Sequence, residues 1–94
     1  MIEKNWRGVP PAAAWVEQEI ERLNGAVDEF AAAMKAKLAE KAREGWTGWD
    51  DLRAKDGIYT AMLAQGAAIK YAEGQEIDIA NLAMMLWRLN ANEP

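Results

Sequence analysis

From Ala12 to about Glu44 the sequence holds no proline and a single glycine, Gly25, and its apolar residues keep a heptad-like step. Val16, Ile20, Leu23, Val27, Phe30 and Met34 follow one another at spacings of 4, 3, 4, 3 and 4. Leu38 follows at 4, a drift back toward the ordinary helical period. Such a seam belongs to one side of a long helix and requires an apolar counterpart. Pro10-Pro11 opens that helix, because the missing N–H of proline costs nothing in a first turn. Gly45 closes it as the C′ residue. Met1 to Val9 reads as an arm with Trp6 as its one large anchor.

Downstream the punctuation is denser. Trp46-Thr47-Gly48-Trp49-Asp50-Asp51 is a turn, and Asp50 or Asp51 is placed to cap a short helical turn containing Leu52. After Asp56-Gly57 a second helix is expected from about Ile58 to Ala72, with Gly66 permitting close approach of a neighbouring helix. Gly74 ends it. A third helix runs from about Glu76 or Asp78 to Leu89, and residues 90–94 fray. No segment has the period of a strand. The expectation is one all-α domain over residues 1–94, a long N-terminal helix packed against a shorter helical pair. Leu, Met and Ala make a thin core for three helices. Association through the seam, as a homodimer or higher oligomer, would offset that.

Composition removes several chemistries. The chain contains no Cys and no His, which excludes thiol nucleophiles, Cys/His zinc sites, Ser-His-Asp triads and imidazole acid–base catalysis. A net charge of −4 argues against direct nucleic-acid binding. The longest apolar run falls far short of the roughly 18 residues of a membrane span, and a Cys-free chain without a signal peptide fits the cytosol, so a cytoplasmic protein with no membrane partner is expected.

The polar candidates form three groups. Acids crowd the first half of the long helix, where Glu17, Glu21 and Asp28 make a candidate interaction face, and bases (Lys35, Lys37, Lys41, Arg43) fill the second half. A solvated surface whose polarity complements the helix dipole accounts for this more simply than a docking site. Trp46 and Trp49 are either lids on one end of the bundle, the favoured reading, or aromatic contacts for a ligand. Trp87 is expected in the core. Asp78 and Asn81 lie three apart on one face of the third helix, next to Glu76. They are read as an N-cap box with an amide in place of the usual Glu or Gln, or as a buried polar or ligand-binding pair. A helical two-metal site needs acids on facing helices. Residues 58–72 contain none, so no metal or catalytic residue is assigned within one chain.

Lys37-Leu38-Ala39-Glu40-Lys41, Gly45-Trp46-x-Gly48-Trp49-Asp50 and Gly74-Gln75-Glu76-Ile77-Asp78-Ile79-Ala80-Asn81-Leu82-Ala83-Met84-Met85 together resemble a group of small bacteriophage and prophage proteins. Those in turn resemble the MazG-like, all-α nucleoside triphosphate pyrophosphohydrolases. In that superfamily a Glu-Glu-x-x-Glu motif and a Glu-x-x-Asp motif on successive helices bind magnesium, and pyrophosphate is removed from (d)NTPs. The likeness spans roughly residues 34–90. Asp78 and Asn81 match the second motif, but Gln75 stands for its Glu, and Ala67, Ala68 and Ile69 stand where the first motif has acids. The resemblance thus implies a shortened relative without magnesium catalysis. The expected function is that of a non-catalytic phage or prophage accessory protein, without cofactor, that binds a protein partner. One form of it is an inhibitor of host nucleic-acid-binding machinery whose carboxylates stand in for phosphates. The alternative is a divergent magnesium-dependent pyrophosphohydrolase, or a nucleotide-binding remnant with Trp46 or Trp49 on the base and Lys70 near the phosphates.

Overall fold

A computed structural model of the chain describes residues 13–68 and 74–92. Among the described residues three α-helices form, α1 (Ala13–Arg43), α2 (Lys55–Ala68) and α3 (Gln75–Ala91), with a 3-10 turn at Leu52–Ala54 before α2. The long N-terminal helix and the shorter pair are therefore as expected, whereas the arm around Trp6, the Pro10-Pro11 helix start and Lys70 lie outside the described residues. At 1.5 Å per residue α1 is about 46 Å long and α3 only about 25 Å. Packing of α3 is most extensive against α2 and extends to α1.

Length mismatch decides what is covered. Along α1, Phe30, Met34 and Leu38 are half-buried, whereas Val16, Ile20, Leu23 and Val27 are 39%, 45%, 48% and 63% exposed. Among the described residues the buried apolar side chains are Ile58 and Leu89, which is a small core for this length of chain.

Local signals explain the ends of the elements. Gly45 adopts φ +99°, the Gly45 N–H donates to the Ala42 carbonyl (3.0 Å) and the Trp46 N–H to the Lys41 carbonyl (3.1 Å). This is a Schellman end, with glycine where a side chain would be strained. Asp51 caps the 3-10 turn by accepting from the Arg53 N–H at 2.9 Å. The Arg53 guanidinium closes on the same carboxylate, with Nη2 at 2.6 Å from Oδ2 and Nε at 3.1 Å from Oδ1.

Four sequence expectations need correction. Asp56 and Gly57, expected as a turn ahead of the second helix, stand in the first turn of α2, which begins at Lys55. The cap of α3 is Gly74 at φ +85°, not Asp78. The Ile77 and Asp78 N–H groups already donate to the Gly74 carbonyl, so Asp78 sits inside the helix and makes no capping box with Asn81. Trp87 is 67% exposed and shares an outer face with Glu76, Ala83 and Asn90. The inner face of α3 is set instead by Asn81, Leu82, Met85 and Leu89. Gly66, exposed on α2, approaches nothing: a Cβ built on it would meet no atom within 4 Å.

Gly66→Ala should therefore stabilise the fold by about 0.5–1 kcal/mol, the helix-interior difference between the two residues, seen as a raised urea midpoint. A lowered midpoint would reveal a close approach at Gly66. The side-chain and then the backbone hydrogen bond from Arg53 hold the Asp51 carboxyl well below the ordinary carboxylate range, at about 2. Because the folded value is depressed, the cap's contribution is complete above the ordinary pKa of about 3.9 and is lost as pH falls toward the folded value. An NMR titration should place the Asp51 midpoint near 2, and Arg53→Gln should move it upward. A midpoint unmoved by that change would remove Arg53 as the cause.

Candidate functional site

Covering only the second half of α1 leaves a groove of about 660 Å³ between α1, the Trp46–Trp49 loop, α2 and α3. Lys37, Leu38 and Lys41 line it from α1, on the same side of the helix as the seam. The loop brings Trp46 and Trp49, directed there by the Schellman end at Gly45 and by Gly48, which also has positive φ, at +87°. From α2 come Ile58 and Gln65, and from α3 come Asp78, Asn81, Leu82 and Met85.

Four of the sequence candidates thus share one site: Asp78, Asn81, Trp46 and Trp49. Of the two indoles, Trp46 is 70% exposed and Trp49 37%, so neither is the buried lid that the sequence favoured. The Lys41 ammonium stands 5.9 Å from the centroid of the Trp46 ring, within reach of a cation–π attraction. Glu76 stays outside the groove, exposed, and its carboxylate accepts from the Gly74 N–H at 3.3 Å. Glu17, Glu21 and Asp28 are exposed on the uncovered half of α1. Sixteen residues separate Glu21 from Lys37, about 24 Å along the helix, so the acidic face and the groove are distinct surfaces of one chain.

Asn81 is the buried polar residue of the site, at 4% exposure. Its Nδ2 donates to the Met34 carbonyl of α1 over 3.4 Å, a long bond that ties α3 to α1. Its Oδ1 is buried with no partner, as is Oε1 of Gln65 on the facing helix. Two acceptors without donors are a cost the fold carries, on the order of 1–3 kcal/mol each.

Lys37, Lys41 and Gln65 were not singled out from the sequence as site residues. The signal was present for the lysines: counted in strict heptads, the seam passes from Met34 through Lys37 to Lys41, so both belong to its inner line. Among the described residues no group of three or more acids is placed to hold a metal ion. Nor is any described helix long and apolar enough to cross a membrane. No family model matches the chain, and neither characterised proteins nor solved structures supply a match.

Replacing Asn81 separates its structural and binding roles. Asn81→Leu removes the unpaired acceptor and leaves the Met34 carbonyl its place in α1, so stability should stay within about 1 kcal/mol of the parent or rise. Asn81→Asp buries a carboxylate and should cost about 3 kcal/mol or more at neutral pH. Denaturant titration of both variants decides it. A large loss in Asn81→Leu would show the amide to be a structural tie.

Proposed function

We propose that the chain is a non-catalytic binding protein that holds a macromolecular partner through the uncovered half of α1. The observation that carries this reading is the exposure of Val16, Ile20, Leu23 and Val27 in one heptad stripe. Contiguous apolar surface of that kind, rimmed by charge, is characteristic of interaction sites. Glu17, Glu21 and Asp28 lie on the same half of the helix and would steer it toward a basic receptor surface. The receptor would be a protein, and a basic nucleic-acid-binding surface is the narrower form of that idea. The resemblance to small bacteriophage and prophage proteins fits an accessory role of this type.

A second reading is favoured by the convergence of Trp46, Lys37, Lys41 and Asn81 on one groove: a nucleotide bound without turnover, its base against the indole and its phosphates near the lysines. The MazG-like enzymatic form of that reading would have to draw acids from a second subunit, because those described in one chain do not converge.

Both readings are tested with the full chain. Wild-type protein and an Ile20→Glu/Leu23→Glu variant, checked for equal helicity by circular dichroism, serve as cross-linking baits in a bacterial lysate. A partner captured by the wild type and lost by the variant is expected, and identical captures by both, with a wild type that is monomeric in solution, would overturn the stripe reading. Isothermal titration with a (d)NTP mixture, with and without magnesium and alongside a pyrophosphate-release assay, tests the second. Heat without release supports a bound nucleotide, release revives the enzyme, and no heat removes both.

A further inference from the structure

Charge along α1 is divided in a way that its own chain does not explain. Residues 17–29 carry Glu17, Glu19, Glu21, Asp28 and Glu29 against Arg22 alone, and residues 35–43 carry Lys35, Lys37, Lys41 and Arg43 against Glu40 alone. A helix dipole favours acids in the first turn and bases in the last, and its influence fades beyond them. The first turn of α1 contains no acid. Asp28 and Glu29 lie about four turns from either end of α1, and Lys35 about two turns from its last residue. The ion pairs along α1 and its C-terminal end are short-range and solvent-accessible, Glu19 with Arg22 at 3.0 Å, Lys37 with Glu40 at 3.9 Å and Lys41 with Glu44 at 3.9 Å, and pairs of this kind contribute little.

We propose that the occupant of the groove is the uncovered half of α1 from a second copy of this chain, and that the exchange is reciprocal, giving an antiparallel homodimer. This rests on the stripe reading above and names its partner. Antiparallel pairing sets the acidic, apolar half of each helix beside the basic half of the other. Glu17 then approaches Lys41 of the second copy and Glu21 approaches Lys37. Parallel pairing would instead set acid against acid and base against base, which long-range repulsion disfavours. About 18 Å of helix spans the twelve residues from Val16 to Val27, and the four apolar side chains on it face the seam side on which the groove opens. In this register Val16 and Ile20 come opposite Ala42 and Leu38, and burying those two against Leu38, Ile58, Leu82 and Met85 would enlarge a core that, among the described residues of one chain, holds Ile58 and Leu89. A two-fold arrangement satisfies both grooves at once and closes the assembly.

Because the chain contains no cysteine, disulfide trapping gives a clean test. Positions 17 and 41 are about 36 Å apart along one helix, too far for an intrachain bond, which needs Cα atoms within about 7 Å. The Glu17→Cys and Lys41→Cys full-length chains, mixed under mild oxidation, should give a covalent heterodimer several-fold in excess of what either forms alone. Sedimentation equilibrium of the untagged wild type should give twice the 10.5 kDa chain mass at low salt and weaker association at high salt. Glu17→Cys linking chiefly to itself would overturn the antiparallel arrangement. A monomer at every concentration would overturn self-pairing, while the lysate capture separately reports whether the stripe serves another partner.

Discussion

Everything in this fold depends on a mismatch of lengths. One helix of 31 residues is packed against a pair of 14 and 17, so the apolar seam that nucleates packing at one end runs on into solvent at the other. Hydrophobic burial scales with the apolar area removed from water. The chain therefore stabilises itself only over the stretch that α3 and α2 can reach. Ile58 and Leu89 are buried there, and the other apolar residues among those described stay partly wet.

The groove is the second consequence. The Schellman end at Gly45 and the Asp51 cap turn the chain sharply, so the two tryptophans return along the side of α1 rather than closing its end. They rim an apolar hollow whose wall contains Asn81 and Gln65, each with a buried acceptor that lacks a donor. An apolar residue at position 81 would avoid the unpaired oxygen and lose only a long hydrogen bond to Met34.

The sequence disclosed what is decided within a few residues of chain. Gly45 as C′, Asp51 as cap and the heptad seam all rest on local geometry or on periodicity, and each takes the form that its residue type requires. Expectations that depended on which face of a helix meets a neighbour fared differently. Trp87 was assigned inward because α3 is apolar on nearly every side, and such a helix does not reveal its inner face; Leu89 is fully covered and Trp87 is left out. Gly66 marks no close approach for the same reason, since α3 does not come near it. The polar pair of α3 was legible as a pair but not in its role. Gly74, with no side chain to contribute, supplies the cap by conformation alone and frees Asp78 and Asn81 for the groove. Convergence of those two with Trp46, Trp49, Lys37 and Lys41 is a tertiary fact that no spacing along the chain encodes.

Groove and stripe are coupled through their common walls. Lys37 and Lys41 would meet phosphates in the nucleotide reading and the carboxylates of Glu17 and Glu21 in the dimer, and Trp46 and Trp49 would rim either occupant. One space does not hold both. Ligand and second copy would then compete, and linkage makes the competition reciprocal: whatever fills the groove weakens association by the same factor by which association weakens its binding. A thin single-chain core makes the exchange steeper, because the copy expelled takes with it apolar contacts that the isolated chain lacks. The features that leave this chain incomplete by itself are the same ones that would let a small molecule decide whether it pairs.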